Sequence, residues 1–372
     1  MSFLHIDRLT GLALPENSEI CRDYRLEPEK QTPGFRAAYD QRTLIYDAVR
    51  ISPQWVMITT PRLFNLKPLV LSGLEIDGKK VKAWQRIHRI FKRCEVIFCR
   101  SSGQSLSIAG IPGQLPIRAG LRQHFAGLNG ATFMNYNNQI DWIQDWAAYH
   151  VAAHDLQSLV IFDNFSDAYS LEELGQGLAD ISGLQSVAII AAPFPYGPPQ
   201  GHQNHWFWGR TTFMFLQQAL LNLARGDMFA DARAVLNADP DELIFSQAGH
   251  KLFDAAVAQR HRMIKIHGSW VFPQDGTPMP APHHLHQFRA EPNKKCNQKW
   301  AAAPSGAMSR LGWDVHVMGG ALVKLIAKDD RFELLHCRGT NTGWKAKRYD
   351  LPKTQRQDPA ITQVMKQYFP NA

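Results

Sequence analysis

The chain has 372 residues, a formal net charge of +8 at pH 7, 45% hydrophobic residues and 20% charged ones. That composition excludes a disordered or fibrous chain, and the length exceeds what one hydrophobic core usually fills, so a large domain with an attachment, or two domains, is expected. The basic balance, with a pI near 9.2, admits nucleic acid, an anionic membrane surface or phosphorylated small molecules as partners.

The opening stretch "MSFLHIDRLTGLALPENSEICRDYR" lacks a basic segment followed by a long apolar core, and no later run approaches the roughly eighteen apolar residues of a membrane span. A cytoplasmic protein is expected. Five scattered cysteines (Cys21, Cys94, Cys99, Cys296, Cys337) without a CxxC pair indicate neither a disulfide framework nor a structural zinc site. Residues 1 to 128 read as a β-rich region of unknown role. The runs "QWVMITTP", "LVLSGLEI", "CEVIFCR" and "SLSIAGIPGQLPIR" are strand-like and separated by Gly and Pro signals. Between them, Trp84, Ile87, Ile90 and Phe91 recur at helical spacing among Lys79, Lys80, Lys82, Arg86, Arg89, Lys92 and Arg93. This predicts a basic amphipathic helix, either packed on the core with a solvated basic face or lying on a membrane surface.

"GLNGA" at residues 127 to 131 reads as a junction, and residues 129 to 372 change character. "ATFMNY" predicts a strand, "QIDWIQDWAAYHVAAHD" a helix, "QSLVIFDN" a strand, "SLEELGQGLADIS" a helix and "SVAIIAAP" a strand. "WFWGRTTFMFLQQALLNLAR" predicts a long helix leading to the strand in "ARAVLNADPDELIF". The alternation argues an α/β domain with a mostly parallel sheet flanked by helices, in which ligands bind outside the carboxyl ends of the strands. Asp163 and Asp239 fall at two such ends.

Asp239, Asp241 and Glu242 follow an apolar strand, where unpaired carboxylates would be costly to desolvate unless a cation meets them. Side chains two residues apart in an extended segment project to the same side, so Asp239 and Asp241, linked by the rigid Pro240, could share one hard cation through oxygen ligands. An acidic turn that caps the following segment is the plainer alternative.

"NNQIDWIQDWAAYHVAAHDLQSLVIFDNFS" resembles the opening of the GT-A-fold glycosyltransferases of the bacterial polysaccharide-synthesis and galactosyltransferase-like group. Asn138, Trp146, Tyr149, His150, Asp163, Asn164 and Ser166 match, whereas Gln139 stands where that family usually has Glu. "AVLNADPDEL" is similar to its strand ending in Asp-x-Asp-Glu, and "NKKCNQKWAAAP", "DVHVMGG" and "ELLHCRGTNTGWKAKR" match more loosely. The resemblance spans about residues 131 to 350. It implies a metal-dependent glycosyltransferase that moves a hexose or N-acetylhexosamine from a nucleotide diphosphate donor, a UDP-sugar foremost. The acceptor it implies is a free or lipid-linked glycan in lipopolysaccharide, capsule or exopolysaccharide assembly, with peripheral contact at an anionic inner leaflet. Nucleic acid is not an expected partner, since no helix-turn-helix, RRM or zinc-finger pattern is present.

A divalent ion bridging both phosphates would stabilise the charge of the leaving group. Mg²⁺ or Mn²⁺ suits an oxygen-rich site, and an added imidazole tilts toward Mn²⁺. The expected ligands are Asp239, Asp241 and, by resemblance, His336, with His316 as the other imidazole. Asn138 and Asp163 are implied at the nucleoside, and Lys299, Lys345 and Arg348 are candidates for the diphosphate. Glu242 and Asp314 are candidate bases near the acceptor. Trp206, Trp208 and Trp270 could offer flat faces to a sugar. His283, His284 and His286, flanked by prolines, read as a mobile loop over the donor rather than a zinc site. The alternative is a catalytically inactive nucleotide- or glycan-binding protein of the same fold.

Overall fold

The computed structural model describes residues 1–199, 201–205, 209–246, 248–318, 328–340 and 349–370. Eleven strands make the main sheet. They are β1 (Phe3–Arg8), β2 (Asn129–Asn135), β3 (Ser158–Asp163), β4 (Ser186–Ala191), β5 (Ala234–Asn237), β6 (Glu242–Phe245), β7 (Met263–Phe272), β8 (Phe288–Ala290), β9 (Lys295–Ala302), β10 (Lys328–Cys337) and β11 (Gln355–Gln357). The helices that cover it are α1 (Ile140–His154), α2 (Leu171–Ala179), α3 (Leu216–Gly226), α4 (Leu252–Ala258) and α5 (Pro359–Tyr368).

The strand order is β1-β4-β3-β2-β5-β9-β7-β8-β11, with β10 paired to β7 and β6 paired to β10. The first five strands are mutually parallel. Beyond β5 the pairings turn antiparallel, apart from β7 with β10. The molecule is therefore mixed α/β, and the expectation of a mostly parallel sheet describes only its first half. The reason lies in the connections. Helices link β2 to β3, β3 to β4 and β4 to β5, as parallel neighbours require, whereas among the described residues no α-helix lies between β7 and β11.

Strict alternation explains how the parallel half is buried on both faces. Leu159, Ile161, Val187, Ile189 and Leu236 point to one core with Ile143, Trp146 and Tyr149 of α1 and Leu174 and Leu178 of α2. Val160, Phe162, Ala188, Ile190 and Val235 point to the other, with Leu216, Leu220 and Leu223 of α3. That second core also takes Tyr46, Val49, Met57 and Val96 from a five-stranded sheet within the first 128 residues. α3 is thus enclosed between two sheets, and a Cβ on its last residue, Gly226, would collide with Met57. Because β1 also closes the edge of the main sheet against β4, the chain does not divide at residue 128 into separate cores. The far face of the five-stranded sheet, with Val56, Ile58 and Ile97, packs on Val70 and on Leu74, Leu106 and Ile108.

Several local expectations are corrected. The segment around residues 79 to 93 is not a helix: a turn at Ala83–Gln85 leads into an edge strand, Arg86–Ile90. Its partner across a tight hairpin is Cys94–Arg100, and Ile87 meets Phe98 while Arg89 meets Val96. A strand there pairs one edge of its backbone with Cys94–Arg100 and half-buries Arg86 and His88, which outweighs the three-residue spacing of Trp84, Ile87 and Ile90. "LVLSGLEI" forms the end of a helix (Lys67–Gly73) and then a short strand, the helix opening with Pro68 in its first turn. The helix expected from residue 206 begins at Leu216, after a strand at Gly209–Thr212. Trp206 and Trp208 lie outside the described residues. Among the described residues no helix is long and apolar enough to cross a membrane.

Candidate metal and nucleotide site

The order β4-β3-β2-β5 makes the gap between β2 and β5 a switch point, since the connections from β2 run one way along the sheet and the return to β5 lands on the other side. Crevices at the carboxyl ends of strands at such a point are the usual ligand sites of open α/β sheets. The turn Asp239–Pro240–Asp241 leaves β5 here and enters β6. Glu242 folds back on it, the amide of Asp239 donating to Glu242 Oε2 at 2.8 Å.

Two strands bring charge to this turn. Lys299 on β9 is fully buried, its Nζ 2.7 Å from Asp239 Oδ2 and 3.1 Å from Glu242 Oε2. His336 on β10 sits opposite Glu242 in register. Its Nε2 is 3.1 Å from Asp241 Oδ2 and its Nδ1 3.5 Å from Glu242 Oε1. Its ring stacks on Trp270 of β7 at 3.8 Å, and the Arg338 guanidinium lies over the same indole, 5.1 Å from its centroid. Asp241, Glu242 and His336 form the group whose ligand atoms all lie within 4.8 Å of one another, and that group could hold a metal ion. Asp239, expected as a metal ligand, is not a member of this group; its carboxylate pairs with Lys299.

Burial sets the roles. The side chains of Asp239 and Asp241 are 31% and 14% exposed, against 2% for Glu242. Burial pushes the Glu242 carboxyl up to about 7, with Lys299 pulling the other way. For Lys299 burial disfavours the charge, but Asp239 and Glu242 outweigh it and hold the ammonium protonated. Lys299 is therefore an internal counter-ion rather than a surface contact for a diphosphate, and Glu242 is enclosed with it rather than facing an acceptor. With Glu242 ionised, three carboxylates against one ammonium leave two negative charges, which matches a divalent cation.

Helix α1 holds β6 in place, and this is the work done by the Trp-x-x-Tyr-His pattern. Trp146 Nε1 donates to the Glu242 carbonyl at 2.7 Å, and Tyr149 Oη and His154 Nε2 donate to the Ile244 carbonyl at 2.8 and 2.7 Å. His150 donates from Nδ1 to Trp146 O, while its Nε2 accepts from the Ile244 amide at 3.4 Å. Among the described residues β6 has only β10 as a strand neighbour, so side chains of α1 satisfy its other edge. The proline-flanked histidines brace the same turn from within. His283 Nε2 donates to the Pro240 carbonyl at 2.7 Å, and His286 Nε2 lies 2.9 Å from Arg338 O. Both are fully buried, which corrects their reading as a mobile loop.

Asp163 and Asn138 meet at a second cluster, at the ends of β3 and β2. Asn135 Nδ2 donates to Asp163 Oδ2 at 2.7 Å, Asn138 Nδ2 donates to Asn135 Oδ1 at 2.9 Å, and the Ser166 amide donates to Asp163 Oδ1 at 3.0 Å. Asn135, the hub of this cluster, carries no motif and was visible in the sequence only as the polar end of an apolar strand. Asp314 does not join the Asp241 group. Its partners are Arg93 at 4.0 Å and the amide of Val315. Nor does His316, whose Nδ1 is 3.2 Å from Gln298 O and whose pKa burial and Lys299 push down to about 4. Lys345 and Arg348 lie outside the described residues. No protein-family model matches the chain, and no curated protein matches it.

Proposed function

We propose that the chain is a metal-dependent glycosyltransferase that uses a nucleotide diphosphate sugar, foremost a UDP-sugar, as donor and a glycan as acceptor. The observation that carries this reading is the convergence of Asp241, Glu242 and His336, from turn, strand and distant strand, at the carboxyl ends beside the β2/β5 switch point. Asp241, Glu242 and His336 would hold Mn²⁺ or Mg²⁺: two carboxylates and one imidazole form a hard, borderline set suited to either ion. When bound, the ion supplies positive charge against the diphosphate as the bond to the sugar breaks. Lys299 sets the charge of the group and orients Glu242. His283 and α1 fix the backbone on which Asp241 and Glu242 stand. The cluster of Asn135, Asn138 and Asp163 offers polar groups for the nucleoside at the neighbouring strand ends. Trp270, stacked on His336, offers an apolar face at the same rim.

The test is release of UDP from UDP-glucose, UDP-galactose and UDP-N-acetylglucosamine, with Mn²⁺ and with EDTA. Turnover that needs metal and disappears in Asp241→Ala supports the proposal. A second reading, a nucleotide- or glycan-binding protein without activity, draws on one observation: Lys299 already neutralises Asp239 and Glu242 from inside. Binding of UDP without turnover of any donor favours it.

A further inference from the structure

Ten large apolar side chains are exposed among the described residues, and three of them, Trp84, Ile87 and Ile90, fall within seven residues. Trp84 is 74% exposed, on the turn that leads into the edge strand Arg86–Ile90. A tryptophan so far out of the core is unusual, and clustered exposed apolar groups mark interaction sites. Leu311, 51% exposed, follows on a neighbouring turn whose Gly312 abuts Phe91.

Along the segment that carries this strip the charge is of one sign. Residues 78 to 93 contain Lys79, Lys80, Lys82, Arg86, Arg89, Lys92 and Arg93 and no acidic residue. Lys79, Lys80 and Lys82 are exposed. Arg86 is used internally, donating to Leu71 O, and the Arg89 guanidinium lies 5.8 Å from the Phe98 ring centroid. Four carboxylates adjoin the strip: Glu95, buried on the paired strand, lies 2.7 Å from His88 Nε2, Asp314 lies 4.0 Å from Arg93, and the other two are Asp77 and Glu75. Asp77 accepts from the amides of Gln104 and Ser105 at 3.0 and 2.9 Å, and Glu75 stands opposite Lys80 across a two-stranded pairing. The balance stays strongly positive.

We infer that this edge of the five-stranded sheet docks on a lipid surface bearing anionic headgroups, with Trp84 at its end and Ile87 and Ile90, which flank the edge on opposite faces of the sheet, entering the interface, and Lys79, Lys80 and Lys82 meeting the phosphates. Indole rings favour the boundary between water and acyl chains, and lysines beside it add attraction to an anionic leaflet. An acidic peptide added to the free edge of Arg86–Ile90 is the competing occupant. It would engage the strand edge and leave Trp84 and the lysine hairpin, both outside that strand, without a role. The face belongs to the first 128 residues and does not depend on the reading of the Asp241 site.

The test is co-sedimentation of the full chain with large vesicles of phosphatidylcholine alone and with about 30% phosphatidylglycerol. Binding is expected only to the anionic vesicles and should weaken steeply from about 0.15 to about 1 M salt. The triple variant Lys79→Gln, Lys80→Gln, Lys82→Gln should bind about a hundredfold more weakly. Trp84→Ala should reduce partitioning several-fold at unchanged charge. All four positions are exposed, and an unchanged thermal midpoint in the variants establishes that they fold. Failure to bind anionic vesicles, equal binding to neutral ones, or binding unaffected by either variant overturns the inference. So does capture of a polyglutamate peptide with no capture of vesicles.

Discussion

The two halves of the main sheet solve the same burial problem in different ways. In the parallel half, β1 to β5 bury alternating apolar residues on both faces, and each helix is laid down by the segment next to its strand. In the antiparallel half, polar and charged groups enter the interior and must be matched across long separations: Lys299 with Glu242, His336 with Asp241, His283 with Pro240. The candidate site lies on the seam. Apolar strands can supply rigidity, but only the antiparallel half brings side chains of opposite charge inward at the strand ends.

This contrast predicts where acid strikes first. Burial keeps four imidazoles at the seam neutral: His154, His283 and His286 are pushed down to about 4, and His150 is lowered as well. Each has a folded pKa below its unfolded one, so the unfolded chain takes up protons first. Stability is full above about pH 6.5 and falls as the pH drops toward 4, by on the order of 3 kcal/mol for each of His154, His283 and His286. Burial raises Glu242 to about 7 and Asp145 to about 6. These act in the opposite sense over part of the interval and blunt the fall. Urea midpoints measured across this range should decrease on acidification, and amide exchange at β6, corrected for intrinsic rates, should open before that at β3.

Lys299→Met tests the internal charge. It leaves Asp239 and Glu242 without their ammonium and should cost about 3 to 5 kcal/mol in denaturant unfolding at pH 8. The loss should shrink at pH 6, where Glu242 can protonate instead. Trp146→Phe removes the donor to the Glu242 carbonyl and should cost about 1 to 3 kcal/mol. Ser170→Ala probes the parallel half. Ser170 and Glu173 form a capping box at the start of α2, the Glu173 amide donating to Ser170 Oγ at 3.1 Å. Its loss should cost about 1 kcal/mol and leave the seam unaltered.

The same contrast explains what could be read in the sequence. "QSLVIFDN" and "SVAIIAAP" announce strands β3 and β4, and "SLEELGQGLADIS" announces a capped helix, because each signal is local. Asp241 was legible from its place after a strand, and His336 from the resemblance. The function of Lys299 was not. It depends on the register of β9 against β5 and β7, in which Lys299 meets Ile266 and its amine turns into the acidic turn. Trp146, Tyr149 and His150 were noticed as a pattern, but their bonds to β6 depend on a contact nearly a hundred residues away in sequence. The basic segment at residues 79 to 93 was misread because a three-residue apolar spacing fits a helix as well as a turn followed by an edge strand.

The most direct test of the central claim, that Asp241, Glu242 and His336 form a divalent-cation site for a nucleotide diphosphate, is calorimetric titration of UDP into the protein with Mn²⁺ and with EDTA, repeated on Asp241→Ala. Binding that requires Mn²⁺ and is lost in the variant is the predicted result. UDP binding of equal strength in EDTA, or in Asp241→Ala with Mn²⁺, would contradict it.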